Sequence, residues 1–186
     1  MIFVTTGTQL PFDRLLQAVD DLAAKYPEED FIVQVKKENY TATSTNISVV
    51  EFIAPSEFDS YIQKASLIIS HAGIGTMVAA AEAGKPLILF PRVASLKEHR
   101  NDHQLATCNM LRDSLALNIV NSVDELFILM EYFKKNQLKP MQVISPYASP
   151  QLVQSIRNFI LMPEEELQTT QTPVQLNASA VIETKS

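Results

Sequence analysis

The sequence predicts an α/β fold, a Rossmann-like parallel sheet with helices on both faces. Three observations carry the sheet. Short β-rich runs recur along all but the last part of the 186 residues. Stretches with helical apolar spacing separate most of them. Helix-start and helix-stop signals punctuate the joins, and strands alternating with helices of this length imply parallel pairing with both faces covered.

Ile2 to Thr6 is a buried strand, followed by a loop at Gly7-Thr8 and a helix from about Pro11 to Lys25. Phe31 to Lys36 and Ile47 to Phe52 are the next strands, joined by a polar, turn-rich stretch. Pro55 stops the latter strand, and Ser56 with Asp59 three residues on opens a helix. Leu67 to Ser70 is a strand and Ile74 to Ala83 an alanine-rich helix closed by Gly84. Pro86 to Phe90 is a strand, Asn101 to Arg112 a helix, and Leu115 to Val120 a strand. Ser122 with Glu125 forms a capping box for a helix to about Asn136, and Ser149-Pro150 opens the last helix. The polar, aperiodic stretch after Met162 reads as a disordered tail, so residues 1–162 form the domain and 163–186 the tail.

Composition narrows the function. A net charge of -6 argues against a nucleic-acid or anionic-membrane surface. The single cysteine, Cys108, excludes an internal disulfide and fits a reducing compartment. The opening residues lack the pattern of a secretory signal, and His71, Glu82, Lys85 and Pro86 interrupt the apolar regions before a membrane span is reached. A cytoplasmic protein is expected.

All three histidines and three of the four glycines fall between Ser70 and His103. Glycines this close together mark tight turns or backbone approaching a ligand. His71 to Gly75 is a short turn feeding a helix N-terminus at the carboxyl end of a strand, where open parallel sheets bind ligands. Unpaired N–H groups and the helix dipole favour an anion there. Gly73 and Gly75 clear the backbone for a phosphate and Thr76 adds a hydroxyl; a tight turn without a ligand is the competing reading. The dinucleotide fingerprint fails because Val78 stands at its third glycine. No P-loop is present, since Gly84-Lys85 runs into Pro86 without the upstream glycine. His99 and His103 are four apart, but Arg100 stands where a zincin needs glutamate, so no metal site is expected.

The blocks S-H-A-G-I-G-T (Ser70–Thr76), A-E-A-G-K-P (Ala81–Pro86), P-R (Pro91-Arg92) and E-H-R-N-D-H-Q (Glu98–Gln104) together resemble the C-terminal, donor-binding domain of family 28 glycosyltransferases. The start, M-I-F-V-T-T-G-T with Phe12-Asp13-Arg14-Leu15 after it, is similar to the small subunits of split bacterial exopolysaccharide transferases. It is also similar to the cytosolic subunit of the eukaryotic UDP-N-acetylglucosamine transferase of lipid-linked oligosaccharide synthesis. The resemblance extends over about Met1 to Ile160 and implies a single domain of GT-B C-terminal type.

The resemblance implies a site. His71 would hydrogen-bond the donor diphosphate, with Gly73, Gly75 and Thr76 donating beside it. Asn101, Asp102, His103 and Gln104 would line the sugar pocket, and Gln104 would contact a sugar hydroxyl, because an amide both donates and accepts. Arg92 and His99 could offset phosphate charge, and Gly7 and Thr8 of the first loop would face the same cleft. Asn101 and Asp102 also suit helix N-capping. Many relatives carry a ribose-gripping acid eight residues after the histidine; here that residue is Ala79, and Glu82 is the nearest substitute.

The resemblance further implies an inverting UDP-sugar glycosyltransferase (a hexosyltransferase) working on a lipid-linked acceptor in surface polysaccharide assembly. The general base and acceptor site would lie on a membrane-anchored partner chain, which would recruit this subunit to the inner face of the membrane. No metal or other cofactor is expected, the UDP-sugar being the substrate. A non-catalytic nucleotide-sugar scaffold or sensor is the alternative, kept open by Ala79, and an epimerase is a second rival.

Overall fold

The computed structural model describes residues 1–7, 10–36, 40–51, 53–112, 117–143, 147 and 150–160. The chain divides into two compact units, Met1–Ser145 and Pro146–Ser186. The expected tail falls outside the described residues.

In the first unit the strands are β1 (Ile2–Thr5), β2 (Phe31–Gln34), β3 (Ile47–Val50), β4 (Leu67–Ser70), β5 (Leu87–Leu89) and β6 (Asn118–Ile119). The helices are α1 (Asp13–Lys25), α2 (Pro55–Lys64), α3 (Ile74–Glu82), α4 (His103–Leu111) and α5 (Val123–Lys134). The strands form one sheet in the order β3-β2-β1-β4-β5-β6, parallel at every pairing. Thr5 of β1 pairs in register with Gln34 of β2 and Ser70 of β4, so three carboxyl ends finish level.

Successive residues of each strand feed opposite cores, as the period of two requires. Ile2, Val4, Val33, Ile69 and Phe90 pack with Leu15, Val19 and Leu22 of α1 and Leu126 and Met130 of α5. Phe3, Ile68, Leu87 and Leu89 pack with Ile62 of α2, Met77 and Ala80 of α3 and Cys108 of α4. Both faces of the central strands are buried, which is why those strands carry no polar alternation. Cys108 is a free, buried thiol pushed up to about 11 by desolvation, an inert core residue.

Several boundaries differ from the sequence expectation. Pro55 is the first residue of α2 rather than the stop before it, with Ala54 as N-cap; proline suits that position because its missing N–H would have no helical acceptor. The capping box at Ser122 is half formed: Glu125 N donates to Ser122 Oγ at 3.2 Å, while Glu125 Oε2 accepts from Asn121 N at 2.7 Å instead of from Ser122. α4 begins at His103, with Asp102 at the N-cap position and Asn101 Oδ1 accepting from His103 N at 3.4 Å. The second unit contains α6 (Pro150–Ile160), which starts at the proline as expected.

Candidate functional site

β1 sends the chain to one face of the sheet through α1, and β4 sends it to the other through α3. The loops after these adjacent strands therefore diverge and leave a crevice at the carboxyl edge, the topological switch point of an open sheet. A cavity of about 590 Å³ lies there, lined by both loops, by Gln34 at the end of β2, by the start of α2 and by His99, His103 and Gln104. Its size falls in the range of small-molecule sites.

His71 sits at the centre. A Cβ built on Gly7 would stand 2.6 Å from its Cε1 and 2.8 Å from its Nε2, and one built on Gly73 would meet the same ring atoms. Both glycines thus make room for the imidazole, and Gly7 is also at φ +78°, where only glycine sits without strain. Gly73 therefore serves the histidine before it serves any phosphate. Gly75 is different: nothing lies within 4 Å of its would-be Cβ, so its bareness is open to a ligand.

Burial, reinforced by the charge of Arg92, pushes His71 down to about 4, against a hydrogen bond with Thr5 that raises it. At neutral pH the ring is uncharged and offers an anion a hydrogen bond rather than a cation. Folding stability acquires a pH dependence from this. The native group takes up its proton only near pH 4, whereas an unfolded histidine does so near the ordinary 6.5. The contribution is therefore whole above pH 6.5 and is lost as the pH falls from there towards 4, amounting to up to about 3 kcal/mol. Acid unfolding followed by circular dichroism should shift to lower pH in His71→Asn; an unchanged midpoint would show that the ring is not buried as described.

α3 is capped by Gly73, which has no side chain to satisfy the first turn, so the leading N–H groups have no intrahelical acceptor. They open beside His71 at the cavity, where Gly73, Ile74, Gly75 and Thr76 are all lining residues. Thr6 and Gly7 line it too, and Thr8 falls outside the described residues.

The remaining expected residues divide. Gln104 is 5% exposed, and its Oε1 accepts from Ala72 N at 3.2 Å and Arg92 N at 3.0 Å. It ties the loop after β4 to the loop after β5, which leaves its amide nitrogen, and not its oxygen, for a ligand. Arg92 lines the cavity but is 2% exposed, and its guanidinium donates to the carbonyls of Thr6, Leu10, Pro11 and Glu98. Its charge reaches the cavity through its effect on His71, while its hydrogen bonds shape the first loop. His99 and His103 line the cavity edge-on to each other, ring centroids 4.3 Å apart. His99 is held below the ordinary imidazole range, first by desolvation and then by the charges of His103, Arg92 and Arg100, against a side-chain hydrogen bond with Asn101 that raises it. Its Nδ1 is buried without a hydrogen-bond partner among the described residues.

Asn101, Asp102 and Glu82 are not among the cavity-lining residues. Asn101 Oδ1 holds His103 Nδ1 at 2.5 Å, and Asp102 accepts from Ala94 N at 2.7 Å. Asp102 is the N-cap of α4 by position, yet its side chain makes no capping bond. Glu82 ends α3, exposed, nearly one turn beyond Ala79, which does line the cavity. A helix rises 1.5 Å per residue, so Glu82 is carried away from the site that Ala79 borders.

Sequence reasoning missed the wall formed by Gln34, Ile53, Pro55, Phe58 and Asp59. The signal was available: Gln34 ends β2 and the others follow the carboxyl end of β3, where the same edge rule applies.

The family described as the glycosyltransferase family 28 C-terminal domain matches residues 1–143. The Caenorhabditis elegans protein ugt-48, described as a UDP-glucuronosyltransferase, is 22% identical over 178 residues, 89% of this chain and 34% of that protein. The chain thus spans about a third of that relative's length. The solution structure of ALG13 has a TM-score of 0.54 at 16% identity, covering 83% of this chain and 93% of that one. A UDP-GlcNAc 2-epimerase from Neisseria meningitidis, solved with UDP-GlcNAc bound, has a TM-score of 0.55 at 16% identity, with 86% of this chain and 44% of that one covered. MurG from Acinetobacter baumannii gives 0.53 at 24% identity over 74% of this chain and 42% of its own. These structures are similar in fold.

Proposed function

The chain belongs to the glycosyltransferase family 28 C-terminal domain, a donor-binding domain, and on that footing we propose that it holds the UDP-sugar of an inverting glycosyltransferase. The observation that supports this most directly is the neutral His71, seated between Gly7 and Gly73 beside the uncapped start of α3. A diphosphate placed there would accept from the helix N–H groups and from the imidazole. The apolar wall of Ile53, Pro55 and Phe58 would receive the base, and the rim of His99, His103 and the Gln104 amide would receive the sugar. A solved structure of similar fold carries UDP-GlcNAc, which supports a nucleotide sugar as the ligand class.

In the proposed reaction a hydroxyl of a lipid-linked acceptor attacks the anomeric carbon, and the bond from that carbon to the diphosphate oxygen breaks. UDP departs with the electron pair, stabilised by preorganised donors at α3 and His71. The acceptor proton passes to a base on a membrane-anchored partner subunit, within surface polysaccharide assembly. No described helix is long and apolar enough to cross a membrane, and in this proposal the partner brings the chain to the inner face. A neutral imidazole and helix dipoles would suffice for the leaving group, so no metal is invoked.

Calorimetry with UDP in the presence of EDTA tests the donor site; no binding at millimolar concentration would overturn it. Gly75→Ala sharpens the test. The added methyl has open space and improves helix propensity, so stability should stay level or rise by up to about 1 kcal/mol. UDP affinity should fall by roughly 1–2 kcal/mol, because the methyl intrudes on the anion's approach to the N–H groups. Undiminished affinity would place the diphosphate elsewhere.

A further inference from the structure

We propose that Arg14 and Glu98 are positioning residues of this site, a latch that fixes the segment bearing His99 against the first loop and α1. The inference rests on the donor-site reading above. Arg14 is the second residue of α1 and Glu98 lies in the connection between β5 and α4, 84 positions on.

The contact is a two-pronged fork. Arg14 Nε donates to Glu98 Oε1 at 2.7 Å and Nη2 donates to Oε2 at 2.8 Å. Side-chain exposures of 20% and 10% put the pair largely out of water. The rest of the guanidinium is also engaged, with Nη1 donating to the Asn121 carbonyl and Nη2 to that of Pro91, and its Cζ lies over the Phe90 ring, 4.0 Å from the centroid. Glu98 in turn closes its own loop: Oε2 accepts from Val93 N at 2.9 Å, and its carbonyl accepts from Arg92 Nη1 at 3.2 Å. Arg92 carries the tie across to Thr6, Leu10 and Pro11. His99 is the next residue, so the backbone that carries it is tied down by both the side chain and the carbonyl of Glu98. A bidentate arginine is not replaced by lysine, which offers a point charge and no fork.

The test uses the full chain with Glu98→Gln, which keeps size and removes the charge, and Arg14→Lys, which keeps charge and removes the fork. Three quantities are measured well below each variant's thermal midpoint: far-UV circular dichroism, the His99 ring resonances without ligand, and UDP-sugar affinity. Both variants should stay folded, move the His99 ring signals while leaving those of His71 in place, and weaken binding by about tenfold to a hundredfold, the effect known for residues that orient metal-ligating histidines. A purely structural pair would lower the midpoint with His99 and affinity unmoved, and that result overturns the assignment. Failure of both variants to fold at low temperature overturns it as well, since the pair would then be a stability element. If the wild type binds no UDP-sugar, the donor reading falls, and the ligand-free His99 signals alone decide the latch.

Discussion

Incubated alone with a UDP-sugar and a polyprenyl-linked acceptor, the purified chain is expected to give no transfer, with turnover appearing on co-expression with a membrane-anchored acceptor subunit. This is the largest effect anticipated, because the difference is between presence and absence of a complete site. The cavity is bounded by one edge of one sheet. Catalysis requires the acceptor oxygen to be held ~3–3.5 Å from the anomeric carbon, which takes a second wall. A stable pair should bury about 1,200–2,000 Å² in total. Radiolabelled sugar incorporation into the lipid fraction is the measurement. Robust turnover by the chain alone would overturn the split arrangement, and tight association without any gain in transfer would favour the scaffold alternative.

Gly7→Ala should cause the second largest change, and a cycle with His71→Ala should separate its causes. The alanine meets a left-handed backbone at φ +78°, a cost of about 1–2 kcal/mol. It also meets the His71 ring at 2.6 Å, and overpacking of that kind costs about 1–3 kcal/mol more. His71→Ala by itself should keep the fold and weaken UDP binding by roughly 1.5–3 kcal/mol, the range for a hydrogen bond to a charged group. In the double variant the steric part should vanish while the backbone part remains, so the stability losses should be less than additive. Strict additivity by chemical denaturation would show that Gly7 and His71 do not share space.

Family membership and the strand-helix alternation were legible in the order of residues. Buried parallel strands and their crossover helices carry local signatures, and the histidine-glycine turn after Leu67–Ser70 stands at the place where a parallel sheet binds ligands. His71, Gly73 and Gly75 could be singled out because each leaves a mark within a few residues of sequence. The strand ends read less well. Pro55 and the Ser122 box show why: whether a proline opens a helix or stops a strand depends on the path of the chain on either side.

What the sequence determined by itself is the fold class, the family and the position of the histidine-glycine turn at the carboxyl end of β4. Only the tertiary structure decided what each polar side chain does there. Glycines 7 and 73 are 66 positions apart in the chain, yet they flank one imidazole, because β1 and β4 are neighbours in the sheet. Arg92, expected to offset phosphate charge, spends its hydrogen bonds on the first loop; Gln104, expected to contact a sugar hydroxyl, has its oxygen committed to two backbone N–H groups. Glu82 is placed beyond the cavity by one turn of helix. The physical reason is common to all of them. Residue type limits which bonds a side chain can make, but the partner comes from strands and loops brought together across the sheet, and no local pattern records that distance.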